Sequence, residues 1–298
     1  MAKWFNDNLD RNSLRRQSMK RIQPSNSFLR KLSITNWLII LNTIVYIIFI
    51  SLSVSGYAEQ QLLNIFALQA QAIFNGHFWT LLTSMFTHIW LPHLFFNMIS
   101  LFFVGNLLEK IIGRRKFLYF YMASGIFAGI FYSILSFYLG NTDLGARIFI
   151  SPLTYSVGAS GAIFGIAGLL AVLTPQMKVY LIMGPIIAII LQSILSSVFP
   201  DLALLPILNL LITAYIFFSI FAMFSFNPSL RKLSLPMGMP FYLLPVIAIV
   251  PLVIIGLFVP LPIGNTAHLG GLIAGFIYGS YLKKRYQRKT ALISKYFK

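Results

Sequence analysis

The chain contains no cysteine, so disulfide bonds and thiolate metal sites are excluded. Charged residues are also scarce: they make up 10% of the 298 residues, whereas a soluble domain carries about 25%. Hydrophobic residues make up 58% of the sequence, and its mean hydropathy is +0.80. This composition is typical of a protein whose solvent is the lipid bilayer. The formal net charge of +17 does not indicate a nucleic-acid partner, because most basic residues flank apolar stretches.

The apolar stretches predict an all-α polytopic membrane protein. A helix needs about 20 apolar residues to cross a hydrocarbon core about 30 Å thick. Eight candidate spans are present: 34–56, 88–112, 117–139, 158–174, 179–199, 203–226, 240–259 and 267–282. With the N-terminus in the cytoplasm, 22 of the 23 Lys and Arg residues lie inside and only Arg147 lies outside. Because inner loops are enriched in Lys and Arg, we expect a multi-pass protein of the cell membrane with both termini cytoplasmic.

The same threading divides the chain into three parts. Residues 1–33 form a basic cytoplasmic tail, 34–283 form the transmembrane domain, and 284–298 form a basic cytoplasmic C-terminus. The tail precedes a full-length span, so we expect no cleavable signal peptide. It is read as a disordered segment or, alternatively, as an amphipathic helix attracted to anionic lipid. On the outer side, 57–87 is expected to lie in or on the interface, and 140–157 is expected to form a loop.

Two polar residues begin apolar spans, Ser160 in 158–174 and His268 in 267–282. Each lies 15 residues from an inner boundary residue, which at about 1.5 Å per residue is roughly 22 Å. Both helices carry glycines at four-residue spacing, namely Gly161 and Gly165 in one and Gly271, Gly275 and Gly279 in the other. Such faces let helix backbones approach closely. We therefore expect the serine and the histidine to come within hydrogen-bonding distance, although glycine and serine can also be simple packing residues.

A third polar element lies early in the second span. His93 and Asn97 are four residues apart and so share one helix face. At a depth similar to that of Ser160, two such donors could stabilise an oxyanion. The alternative is a polar helix start with an interfacial cap.

These elements, in this order, resemble the rhomboid family of intramembrane serine proteases. The matching motifs are WTLLTSMFTH at 79–88, His93-x-x-x-Asn97, GNLLEKIIG at 105–113, Gly158-x-Ser160-Gly161 and Ala267-His268-x-x-Gly271. The resemblance implies a core of six helices. Because 107 residues separate Ser160 from His268, we expect an inserted helical pair within 176–239. The sequence leaves either 179–199 or 240–259 as the gating helix beside the site.

The resemblance also implies the role of each site residue. Ser160 is the nucleophile and His268 the general base, and the Ser160 backbone N–H forms the oxyanion hole with His93 and Asn97. Glu109 matches a structural glutamate of the family. The implied substrate is a membrane protein, cut near the outer end of its transmembrane helix, and no metal or organic cofactor is implied. Thr80 departs from the family, which often has arginine after the tryptophan, so anchoring of that loop is in question.

The aspartates of the chain lie in the cytoplasmic tail or in and beside outer loops, at positions 7, 10, 143 and 201. The chemistry expected is therefore that of a Ser–His dyad without an acid. Two alternatives come from other classes of protein. A catalytically silent rhomboid-like protein would bind membrane clients, and a transporter would require several charges in mid-membrane, which the spans do not contain. The sequence makes no prediction about oligomeric state.

Overall fold

The computed structural model describes residues 32–297 except Phe224, Phe226 and 258–263. Most of the described chain is helical, with two short antiparallel ribbons. The helices are α1 Ile34–Val54, α2 Glu59–Phe66, α3 Ala70–Phe74, α4 Thr80–Thr83, α5 Leu91–Ser100, α6 Asn106–Ile112, α7 Arg114–Leu139, α8 Asp143–Phe149, α9 Ser160–Leu173, α10 Met183–Val198, α11 Leu205–Met223, α12 Pro228–Lys232, α13 Leu244–Gly256, α14 Asn265–Arg285 and α15 Gln287–Tyr296. A π-helical turn, Leu101–Gly105, joins α5 to α6, and a 3-10 turn, Phe241–Leu243, precedes α13. The strands are β1 Leu68–Gln69, β2 Tyr155–Ser156, β3 Lys178–Ile182 and β4 Pro236–Pro240.

Each of the eight predicted spans contains a helix, but the helices differ in length. Among the described residues, four are long and apolar enough to cross a membrane: Ile34–Val54, Leu91–Ile112, Arg114–Leu139 and Leu205–Met223. Three apolar helices are shorter: Ser160–Leu173, Met183–Val198 and Phe241–Gly256. The eighth, α14, is rich in glycine and ends in Lys283, Lys284 and Arg285. The prediction of a polytopic helical membrane protein is thus confirmed.

One predicted span was wrong at its start. The stretch 179–199 does not begin as a helix, because Lys178–Ile182 pairs with Pro236–Pro240 as an antiparallel ribbon before α10 starts at Met183. Val179, Tyr180 and Ile182 favour extended structure, and β4 begins and ends with proline, which cannot donate to a ladder and is tolerated at a sheet edge. The apolar character that suggested a helix from residue 179 is therefore that of a ribbon leading into α10.

Helices α10 and α11, which lie within the region 176–239 where the sequence predicts an insertion, are joined by polar side chains, and the pair packs against α5. The Gln192 amide donates to the Asn209 carbonyl oxygen (3.4 Å) and to the Thr213 hydroxyl (3.3 Å). The ring of Phe95 lies 5.8 Å from that of Phe217 on α11. The pair therefore flanks the helix that carries His93 and Asn97.

Backbone contact between α9 and α14 forms the centre of the molecule. A Cβ added at Gly271 would lie 2.0 Å from the carbonyl oxygen of Gly161, and one at Gly275 would lie 2.2 Å from that of Gly165. On the side facing α7, a Cβ at Gly165 would lie 2.6 Å from the Cβ of Ser124. No side chain larger than hydrogen fits at these crossings, so the prediction that the two glycine faces meet is confirmed.

Segment 57–87, which the sequence predicts to lie on the outer side, folds into α2, α3 and α4 and is held by side-chain hydrogen bonds. The Trp79 indole N–H donates to the Ile65 carbonyl (2.9 Å), and the Thr83 hydroxyl donates to that of Phe66 (2.9 Å). Thr80 is fully buried, and its hydroxyl donates to the His77 carbonyl (2.7 Å). Thr80, where the resemblance described above implies an arginine, therefore takes part in a local turn. Trp79 and Thr83 connect the segment to α2 through their hydrogen bonds.

Glu109 on α6 connects the second span to the start of the first. Its carboxylate accepts hydrogen bonds from the backbone N–H of Ile34 (2.9 Å) and from the backbone N–H and hydroxyl of Thr35 (both 2.8 Å). These N–H groups belong to the first turn of α1 and have no partner within the helix. The buried carboxylate is thus an N-terminal cap supplied from another helix, and its charge complements the helix dipole.

We expect Glu109→Gln to lower the free energy of unfolding by about 1.5–3 kcal/mol, because the amide has one acceptor oxygen and no charge. The measurement is chemical unfolding in mixed micelles. Glu59→Gln is the matched control, since Glu59 is exposed in the first turn of α2, and it should change stability by less than about 0.5 kcal/mol. Equal stability of the two variants would show that the cap at Glu109 is unimportant.

Candidate active site

Ser160 is the first residue of α9, at the helix end where backbone N–H groups lack partners within the helix. Gly158, two residues earlier, has φ +115°, a conformation that L side chains rarely adopt. The Gly158 N–H donates to the carbonyl oxygen of Ser84 at 2.8 Å. This turn places the half-buried serine at the start of the helix and links it to segment 57–87.

The Ser160 hydroxyl lies within hydrogen-bonding distance of His268 on α14. Oγ and Nε2 are 2.8 Å apart. The His268 ring stacks on Phe164, with 4.2 Å between ring centroids and 15° between planes. The histidine is therefore oriented by an aromatic face and by the serine, and in the described part of the chain no hydrogen-bond partner reaches its buried Nδ1.

His93 and Asn97 face the same turn from α5. A Cβ built at Gly158 would lie 2.7 Å from His93 Cε1, 2.8 Å from His93 Nε2 and 3.4 Å from Asn97 Nδ2. The φ of Gly158 thus favours glycine, and a side chain at this position would displace the His93 ring from its place. The structure brings three elements together, namely the α5 pair, the start of α9 and the start of α14.

His88 is a further member of this cluster, to which the sequence assigned no role. It is fully buried, its Nε2 lies 3.2 Å from Asn97 Nδ2, and its ring centroid lies 5.0 Å from that of His93. His88 lies just before α5, which begins at Leu91, and its burial beside His93 favours the uncharged form of the ring.

Sequence reasoning also missed the roles of two other residues. Phe164 lies four positions after Ser160 and hence on the same helix face, which is a signal that could have indicated contact with His268. Gly158 was noted only as part of a motif, although its positive φ favours glycine and a side chain there would meet the His93 ring. Nothing in the sequence indicated that His88, nine residues before Asn97, would contact the amide.

The fold and the site together define a polytopic helical membrane protein with a serine–histidine pair where two glycine-rich helices meet. A family model described as the Rhomboid domain matches residues 75–210 and 210–285. The chain therefore belongs to the rhomboid family, and its fold is that of a rhomboid-like membrane protein.

Curated relatives bear names of the same kind. The chain is 39% identical over 95 residues to Putative rhomboid protease YdcA of Bacillus subtilis, over 32% of this chain and 40% of that protein. It is 38% identical over 110 residues to Rhomboid protease GluP of the same organism, over 37% of this chain and 18% of that protein. It is 36% identical over 138 residues to Rhomboid protease AarA of Providencia stuartii, over 46% of this chain and 49% of that protein. The matches thus span half or less of these relatives.

Proposed function

We propose that this protein is an intramembrane serine endopeptidase that uses Ser160 and His268 as a catalytic dyad. The observation that carries the proposal is the 2.8 Å separation of Ser160 Oγ and His268 Nε2 at a helix N-terminus. A serine hydroxyl becomes a useful nucleophile when an adjacent base accepts its proton. The names of the relatives and membership of the rhomboid family support peptide-bond hydrolysis as the reaction.

In this mechanism His268 Nε2 takes the proton of Ser160 Oγ as the oxygen attacks the scissile carbonyl carbon. The tetrahedral intermediate collapses, the C–N bond breaks, and the proton on Nε2 passes to the leaving amine nitrogen. Water then attacks the acyl ester with His268 again as base, which releases the carboxylic acid and restores the serine hydroxyl. No metal or organic cofactor takes part.

The oxyanion formed in each attack requires hydrogen-bond donors placed in advance. The proposed donors are the Ser160 backbone N–H at the start of α9 and the side chains of His93 and Asn97. Support comes from the contact of both side chains with Gly158, two residues before the nucleophile. The close packing of α9 against α14 is the physical reason that the dyad needs no acid to fix its geometry.

The proposed substrates are transmembrane proteins, cut near the outer end of their helix. Membership of the rhomboid family supports this substrate class, and the distribution of Lys and Arg favours the orientation that it requires, with both termini in the cytoplasm. The lipid bilayer is the other partner of the protein, and we propose no nucleic-acid partner.

The test is cleavage of a fluorescent reporter with a single transmembrane helix in proteoliposomes. Wild type should produce two fragments, and Ser160→Ala should produce none. Ser193→Ala is the matched control, because Ser193 on α10 hydrogen-bonds to the Ile189 carbonyl of its own helix (2.9 Å) and to no other helix in the described part of the chain. Its rate should equal that of wild type.

Cleavage by Ser160→Ala would refute the proposal. Binding of the reporter without cleavage by wild type would instead identify a silent, client-binding member of the family.

A further inference from the structure

The Asn97 side chain is already hydrogen-bonded before any substrate arrives. Its amide nitrogen lies 3.1 Å from the His93 carbonyl oxygen and 3.2 Å from His88 Nε2. A carbonyl oxygen only accepts, so the atom facing it must be the NH₂ group rather than the amide oxygen. Both amide hydrogens therefore have partners, one of them on His88.

This arrangement also fixes the tautomer of His88. An amide nitrogen only donates, so Nε2 must be the unprotonated, accepting nitrogen, and the ring proton is on Nδ1. Full burial of His88 favours the neutral ring that this requires. His88 is thus held as an acceptor directed at the Asn97 amide.

We propose that His88 is a positioning residue that holds the Asn97 amide for the oxyanion and releases one N–H to it in the transition state. This inference rests on the proposed function. A neutral imidazole competes well with the neutral carbonyl of a bound substrate for that N–H. A hydrogen bond to an ionised acceptor is roughly twice as strong as one between neutral groups. The Asn97 N–H therefore changes its hydrogen-bond acceptor from His88 Nε2 to the substrate oxygen only as negative charge develops on that oxygen.

The consequence is that Asn97 stabilises the transition state more than the ground state. Interactions of that kind raise kcat and leave KM nearly unchanged. Loss of His88 should therefore lower kcat. Without the hydrogen bond to His88, the Asn97 side chain adopts other rotamers, and ordering it in the transition state costs free energy.

The experiment compares His88→Leu, His88→Gln and His88→Asn in the full-length protein, with the reporter in proteoliposomes. Gln can place an amide oxygen near the position of Nε2, whereas the shorter Asn places its amide near Nδ1 and cannot reach Asn97. We expect kcat to fall about tenfold in the Leu and Asn variants and to stay within about threefold in the Gln variant, with KM within about twofold in all three. His77→Leu is the control, since His77 also contacts an aromatic ring, that of Trp79 at 4.7 Å, outside the site.

A double-mutant cycle with Asn97→Ala completes the test. In that background His88→Leu should change kcat by less than about twofold, because its effect passes through the missing amide. A full tenfold loss in that background, or equal rates for the Gln and Asn variants, would overturn the inference. Ser160→Ala is measured alongside: if it still cleaves, the protease proposal fails, whereas an inactive Ser160→Ala with an additive cycle refutes only the role of His88.

Discussion

His268→Ala is expected to abolish cleavage as completely as Ser160→Ala, and the double variant is expected to be no slower than either. Oγ and Nε2 are 2.8 Å apart, and each is useless without the other, since an unactivated hydroxyl does not attack an amide and a base without a nucleophile has no proton to accept. Residues that act as a unit show losses that do not add. The expected fall in kcat is on the order of 10⁴–10⁶ for each variant.

The measurement is single-turnover cleavage in liposomes over long incubation. His77→Ala serves as the matched histidine control and should retain the wild-type rate, since His77 lies in segment 57–87 and stacks on Trp79. If the losses of Ser160→Ala and His268→Ala multiplied in the double variant, the two residues would be acting independently, and the dyad would have to be abandoned.

Asn97→Ala is expected to lower kcat by about 10²–10³, equivalent to about 2.7–4 kcal/mol of transition-state stabilisation. The substitution removes an oxyanion donor and leaves Ser160 and His268 in contact. KM should change little, because the lost hydrogen bond is made to the charged oxygen of the intermediate rather than to the substrate carbonyl. His93→Ala should have a similar or milder effect, since water can enter and donate in its place.

The control for this prediction is Asn209→Ala, which removes an asparagine of α11 whose amide hydrogen-bonds to Ser196 on α10 (3.2 Å). Its kcat should stay close to that of wild type. Wild-type kcat in Asn97→Ala, together with an inactive Ser160→Ala, would leave the dyad in place and exclude Asn97 from the oxyanion hole.

Much of the proposed site could be predicted from the sequence because it depends on local rules. Helix periodicity places His93 and Asn97 on one face, and glycines at every fourth position permit the close approach of α9 and α14. The backbone contact between Gly271 and Gly161 is the packing that such a pattern favours. The predicted depth of Ser160 and His268, measured from the inner boundary of each span, rests on the 1.5 Å rise of a helix alone.

The parts that were missed depend on contacts between segments with no fixed spacing. The pairing of Lys178–Ile182 with Pro236–Pro240 joins strands that are more than 50 residues apart, so apolar character alone suggested a longer helix. His88 contacts Asn97 because the turn before α5 places its ring beside that helix. Helix periodicity in the sequence does not specify the path of such a turn.

The sequence by itself determined the bilayer as solvent, the helices and the identity of the polar residues at helix starts, because hydropathy and periodicity are properties of short segments. Only the tertiary structure decided that Phe164 supports the His268 ring and that Gly158 lies against His93. It also decided that both hydrogens of the Asn97 amide are engaged. The physical reason is that a hydrogen bond or a stacking contact requires positions accurate to a few tenths of an ångström, and those positions are set by the packing of several helices together.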